Sequence, residues 1–201
     1  MKNPCVERKS QIVRESQETQ ISIDLNIDGT GSHDIQTTVP FFDHMLVALT
    51  KHSAVDLKVR AKGDTDIDDH HTVEDVGICL GDAFKSALGD RKGIVRYGHF
   101  SLAMEEALVN TALDISGRPY LLYNIKTEDH LIKNFSLDLL EEFWRAFCNR
   151  MGLNLHIDMI KGKNAHHVYE ASFKSVARSL RMAMSFDSRV TGIPSTKGVL
   201  D

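Results

Sequence analysis

The chain has 201 residues, 42% of them apolar and 26% charged, the balance of a soluble globular protein long enough to bury a sizeable core. A net charge of −4 argues against nucleic acid as the main partner, and no apolar run approaches the length of a bilayer span, so no membrane partner is expected. The polar stretch Met1 to Ser10 lacks an apolar signal region, and Cys5, Cys79 and Cys148 are odd in number and widely spaced, so a cytoplasmic protein with reduced thiols is expected rather than a disulfide framework or zinc ribbon.

From Thr19 the pattern alternates. Ile21, Ile23, Leu25 and Ile27 share one face and Ser22, Asp24, Asn26 and Asp28 the other, which predicts a half-buried strand. Gly29-Thr30-Gly31-Ser32 turns the chain, and His33 to Val39 reads as the returning strand. Pro40 suits the first turn of a helix through Phe41, Phe42, Met45, Leu46 and Leu49, which carries His44 and His52. Val55, Leu57, Val59 and Ala61 alternate as another strand. Gly63 and the acidic run Asp64, Asp66, Asp68, Asp69 then lead into a helix whose apolar positions are Val76, Leu80, Ala83 and Ala87. The first half therefore reads strand, strand, helix, strand, helix.

The second half repeats that order. Val109 to Gly117 answers Ile21 to Gly29, Tyr120 to Ile125 is the next strand, and a helix from Leu137 to Met151 follows a polar loop. Leu153, Leu155, Ile157 and Met159 alternate, and Gly162-Lys163-Asn164 precedes a helix through Phe173, Val176, Leu180 and Met184. His70 falls opposite His166 at an offset of 96 and His44 opposite Glu142 at 98. Between the halves, Gly89 to Ala107 holds turn signals and a strand from Ile94 to Leu102, too apolar for a flexible linker. The expected fold is α+β: a duplicated half-domain, strand-strand-helix-strand-helix twice, in two layers with helices on one face of the sheet. A single compact domain over residues 1–201 is expected, with repeats at about 14–90 and 105–190.

The chemistry concentrates where the repeat is most exact in kind: His70-His71-Thr72-Val73-Glu74-Asp75 and His166-His167-Val168-Tyr169-Glu170-Ala171. On a helix the first histidine and the glutamate lie one turn apart on one face, while the second histidine points about 100° away. Each motif therefore gives His70 with Glu74, or His166 with Glu170, to one ion and sends His71 or His167 to another. Imidazole with carboxylate suits manganese, iron or zinc.

The chain resembles the imidazoleglycerol-phosphate dehydratases of histidine biosynthesis. The match runs from about Arg14 to Gly198. It is carried by Glu18-Thr19, Asp43-His44-Met45-Leu46, Asp68 to Asp75, Arg96-Tyr97-Gly98, Asp114 to Pro119, Gly162-Lys163-Asn164 with His166-His167, Glu170-Ala171 with Phe173-Lys174, and Pro194-Ser195-Thr196-Lys197-Gly198. The resemblance implies a manganese-dependent lyase that converts imidazole glycerol phosphate to imidazole acetol phosphate. It implies two metal ions per active site, Fe²⁺ or Zn²⁺ remaining compatible with the donors, that bind the substrate ring as imidazolate. It also implies a homo-oligomer of about 24 subunits with active sites at subunit contacts.

By the same resemblance the metal ligands are His44, His70, His71, Glu74, Glu142, His166, His167 and Glu170. Glu18 is the proton-shuttling residue. His44 and His52 line the substrate pocket, and the phosphate is held by Arg96, Arg118, Lys174 and the tail 191–201 through Ser195, Thr196 and Lys197. Residue chemistry alone supports these roles in part: arginine offers a planar fork to phosphate and lysine a point charge. Two departures stand out. Many relatives carry histidine where this chain has Glu142, with Glu141 a rival for the role and His156 read as structural. The family's Pro-Met-Asp-Glu-Ala is here Ala103-Met104-Glu105-Glu106-Ala107, which leaves the role of Glu105 open. Without the resemblance, a di-metal phosphate-ester hydrolase and a non-catalytic metal-cemented shell protein stand as alternatives.

Overall fold

A computed structural model describes residues 7–200, so Cys5, Asp201 and most of the polar start lie outside the described residues. The first half contains β1 (Lys9–Glu15), β2 (Thr19–Asn26), β3 (His33–Gln36), α1 (Pro40–Ser53), β4 (Asp56–Gly63) and α2 (His70–Leu88). The second contains β5 (Tyr97–Met104), β6 (Ala107–Asp114), β7 (Tyr120–Asn124), the short pair β8 (Leu131–Ile132) and β9 (Phe135–Ser136), α3 (Leu139–Met151), β10 (Asn154–Lys161) and α4 (Ala165–Met184).

The strands assemble into two sheets of identical plan, β1-β2-β4-β3 and β5-β6-β10-β7, in which only the last pair of each, β3 with β4 and β7 with β10, is parallel. The fold is α+β with two similar sheet-helix halves. Period-2 patterning explains the layering: Ile21, Ile23 and Leu25 of β2 are buried while the residues between them face outward. α2 covers the inner face of the first sheet and α4 that of the second.

Three features differ from the sequence reading. β3 does not return against β2 but lies parallel to β4, because α1 carries the chain across before β4 pairs with β2. β3 also stops at Gln36. Thr38 adopts φ 69, and the Asp43 carboxylate accepts from the Thr37 amide at 2.8 Å, turning the chain into α1. Finally, each half begins with an edge strand. β1 is mostly exposed and shows little apolar alternation, while β5 is the first strand of the second sheet rather than a connection between halves.

The helix layers of the two halves meet, α1 against α4 and α2 against α3. Phe42 of α1 packs edge-on to Phe143 at 5.2 Å, Phe84 of α2 meets Phe147 at 5.5 Å, and Phe173 of α4 lies 4.7 Å from Trp144. All six rings are fully buried. Each contributes roughly 1.5–3 kcal/mol by burial alone, so neither half keeps its core without the other. No helix among the described residues is long and apolar enough to cross a membrane.

Candidate metal centre

The α1–α4 contact assembles the first cluster. His44 projects from α1 towards the opening turn of α4, where His166 and Glu170 occupy one face at i and i+4. Glu170 Oε2 lies 3.1 Å from His44 Nε2 and 3.0 Å from His166 Nε2, and the two imidazole rings are 5.3 Å apart. The ring of Phe41 packs against His166 at 5.6 Å. Lys174, one turn further along α4, places Nζ 2.6 Å from the other oxygen of Glu170. Burial pushes the Glu170 carboxyl up, but the hydrogen bond from Lys174 and then that from His44 outweigh it and bring its pKa to about 2. One ligand atom from each of His44, His166 and Glu170 lies within 4.8 Å of the others. Two imidazole nitrogens and a carboxylate oxygen at this spacing fit Mn²⁺, Fe²⁺ or Zn²⁺.

The second histidine of each motif points elsewhere and is gripped from behind. Asn164 caps α4, its side chain accepting from the amides of His166 at 2.9 Å and His167 at 3.4 Å. His167 then donates from Nδ1 to Glu106 Oε2 at 2.8 Å. In the first half Asp68 accepts from the His70 amide at 2.8 Å, and His71 donates from Nδ1 to Asp64 at 3.0 Å. The Asp64 hydrogen bond raises the His71 pKa above its ordinary 6.5. Glu18 Oε1 stands 3.9 Å from the opposite nitrogen, His71 Nε2. His70 Nε2 and Glu74 are 3.5 Å apart.

Glu142 does not join His70 and Glu74 in a comparable group. It pairs with Arg145 at 3.6 Å, its neighbour Glu141 pairs with the same guanidinium at 2.5 Å, and among the described residues only the His44 cluster closes to three ligands. His156 lies exposed on the outer face of the second sheet with its ring 5.7 Å from Tyr120.

Of the residues expected to hold phosphate, Arg96 stands just before β5 and Ser195, Thr196 and Lys197 lie in the tail, while Arg118 and Lys174 belong to the β6–β7 turn and α4. Arg96 makes a two-bond fork to Asp114 (2.7 and 3.0 Å), and its Nη1 donates to the Pro194 carbonyl at 2.8 Å, which ties the tail to the second sheet. The Ser195 hydroxyl accepts from the Lys197 amide at 3.1 Å, so Ser195, Thr196 and Lys197 form a compact turn. Arg118 lies exposed in the β6–β7 turn. His52, on the last turn of α1, faces Lys174 and Arg178 of α4; burial, then those two cations, lower its pKa. Three site residues escaped the sequence reading: Asp64, Asp114 and Glu106. Asp64 belongs to the acidic run already noted, and Glu106 stands where the repeat places Glu18, 88 residues later, which was the available signal.

The family model for imidazoleglycerol-phosphate dehydratase matches residues 37–180. The imidazoleglycerol-phosphate dehydratase of Paracoccus denitrificans is 54% identical over 194 residues, 96% of this chain and 100% of the relative. That of Caldanaerobacter subterraneus subsp. tengcongensis is 52% identical over 193 residues, with 96% and 100% covered. The crystal structure of the Staphylococcus aureus dehydratase superposes with a TM-score of 0.79 at 37% identity, covering 89% of this chain and 98% of that one. The Pyrococcus furiosus structure, a complex with (S)-C348, gives 0.82 at 32% identity, covering 94% and 100%.

Proposed function

This chain belongs to the imidazoleglycerol-phosphate dehydratase family, and from that premise we propose that it carries out its reaction on two divalent ions held by the doubled histidine motifs. The enzyme is a hydro-lyase of histidine biosynthesis that dehydrates imidazole glycerol phosphate. The observation that carries the metal reading is the convergence of His44, His166 and Glu170 within 4.8 Å. These three would hold one ion. His70, His71 and Glu74 from the first motif, with His167 and Glu142, complete the donor sets.

Among the described residues only one set closes within a single copy, and the remaining donors would meet across contacts between neighbouring copies in the 24-subunit assembly that the resemblance implies. Mn²⁺ is the expected metal, and the nitrogen and oxygen donors also suit Fe²⁺ or Zn²⁺. Ions held there would supply the positive charge that favours loss of the substrate's ring proton and departure of its hydroxyl.

The protein's own residues do the rest. Glu18, exposed and facing the ion side of His71, moves the substrate proton. His52 lines the pocket beside Lys174. Arg96, Arg118, Lys174, Ser195, Thr196 and Lys197 bind the phosphate through a fork, ammonium groups and hydroxyls. Buried free thiols at Cys79 and Cys148, pushed up by burial to about 11 and about 12, suit a reducing cytoplasm.

The test couples metal content to turnover. Purified protein with Mn²⁺ and imidazole glycerol phosphate should yield imidazole acetol phosphate, a chelator should abolish the reaction, and His166→Ala should reduce the bound metal. Full turnover by protein freed of metal overturns the reading.

A further inference from the structure

The repeat gives Glu18 and Glu106 the same address. β1 runs into β2 through Ser16-Gln17-Glu18-Thr19, and β5 runs into β6 through Met104-Glu105-Glu106-Ala107. Both are two-residue turns with the glutamate second. Glu106 pairs with His167 as Glu18 faces His71, and His71 and His167 are themselves repeat partners.

The two turns nevertheless aim their carboxylates differently. In the first, the Ser16 hydroxyl accepts from the amides of Glu18 at 3.2 Å and Thr19 at 3.0 Å. In the second, Met104 offers no such acceptor and Glu105 takes φ 50, a left-handed conformation that a non-glycine residue adopts at a cost. Glu106 thereby reaches the rear nitrogen of its histidine, Nδ1, at 2.8 Å, while its other oxygen accepts from the amides of Asn164 at 2.8 Å and Lys163 at 3.2 Å. In the first half the rear nitrogen of His71 is already taken by Asp64, on the residue after Gly63. The residue after the equivalent Gly162 is Lys163, which cannot accept.

We propose that Glu106 is a positioning residue: by accepting from His167 Nδ1 it fixes the tautomer whose Nε2 lone pair faces an ion, doing for the second half what Asp64 does for the first. A duplicated turn has thus divided its labour. Because Asp64 holds His71, Glu18 is left unspent for proton transfer, whereas Glu106 is consumed in orienting a ligand. This rests on the metal reading above, and it deepens that reading by separating the two glutamates that the repeat makes equivalent. The general chemistry is that of a carboxylate behind a ligating imidazole, which sets the ring's orientation and its basicity.

The experiment has a limb that needs no metal. In the whole protein labelled with ¹⁵N-histidine, solid-state spectra of the metal-free form should show His167, assigned by its loss in His167→Gln, as the Nδ1–H tautomer. Glu106→Gln, which keeps the size of the side chain and one acceptor oxygen, should shift it to a mixture, and Glu106→Asp should restore it in part. On Mn²⁺ titration, Glu106→Gln should weaken one ion by about 10- to 100-fold, with Asp64→Asn giving a loss of similar size through His71. An unchanged His167 tautomer in Glu106→Gln overturns the proposal, as does wild-type Mn²⁺ affinity in that variant. A wild-type protein that binds no divalent ion while showing the tautomer shift would instead sink the metal reading and leave the orienting bond standing.

Discussion

The Thr19 hydroxyl donates to the buried Asp75 carboxylate at 2.5 Å, and at the positions that the repeat makes equivalent stand Ala107 and Ala171. Arg14, 3.1 Å from Asp75 in the first half, is answered by Leu102 in the second. One duplicated joint between strand and helix is therefore polar and the other apolar. Removing one member of the polar joint leaves a buried acceptor short of a partner, whereas removing all of it does not. Thr19→Ala is expected to cost about 1–3 kcal/mol, and the triple variant Arg14→Leu, Thr19→Ala, Asp75→Ala to recover most of that loss. Urea unfolding of the single and triple variants checks it, and additive losses would contradict the equivalence of the two joints.

Glu18 is exposed, and among the described residues its carboxylate has no partner beyond the 3.9 Å approach to His71. Glu18→Gln is thus expected to leave unfolding and Mn²⁺ content unchanged while lowering kcat by about 10²- to 10⁴-fold, the usual contribution of a positioned acid or base. Steady-state rates beside metal analysis measure both. A variant retaining near-normal kcat removes Glu18 from proton transfer.

Two groups of the site give the metal-free protein pH effects of opposite sign. His71 has its pKa raised by Asp64, so its contribution to stability is complete below pH 6.5 and is lost as pH rises through the raised value. Glu170 is lowered to about 2, so its contribution is complete above its ordinary 4.5 and is lost as pH falls from there towards 2. Mn²⁺ requires the neutral imidazole, so its affinity rises across the window in which the His71 contribution fades. Unfolding midpoints of wild type and His71→Gln from pH 4 to 9, with and without Mn²⁺, should differ most below pH 6.5 without metal and above it with metal. A difference between the two proteins that grows with pH in the metal-free state would contradict the sign.

What was legible in the chain follows from the range of the interactions. Ile21 to Ile27 declared their strand because alternation is local, and His166 with Glu170 declared one face of a helix because 3.6 residues make a turn. His44 could be joined to them only through the repeat and the family resemblance, since its place depends on α1 packing against α4, more than a hundred residues away. Glu106 was passed over because its meaning is a bond to His167, 61 residues on, and because the Ser16 hydroxyl and the φ of Glu105 that aim the two turns differently leave no trace in apolar periodicity. The exposed edge strand β1 was missed for the same reason: its strand character comes from pairing with β2 and not from its own pattern.

Gly77 and Gly81 show the cost of reading a helix by propensity alone. Both lie inside α2, where glycine is unfavourable by about 1 kcal/mol relative to alanine. A Cβ added at Gly77 would sit 2.7 Å from the Phe143 carbonyl oxygen, and one at Gly81 2.7 Å from that of Phe147, both backbone atoms of α3. Their repeat partners on α4 are Phe173 and Ala177, so the close approach is peculiar to the α2–α3 pair. The propensity gain from Gly77→Ala is outweighed because a carbonyl held in a helix cannot turn aside; the helices must separate, at a typical cost of 1–3 kcal/mol for overpacking, roughly. Separation also displaces α3, which carries the proposed donor Glu142. Gly77→Ala should therefore lower the unfolding midpoint and weaken Mn²⁺ binding together, whereas an exposed α2 change such as Lys85→Ala should do neither. A Gly77→Ala protein more stable than wild type would mean that α3 yields freely and that the glycine spacing has no bearing on the site.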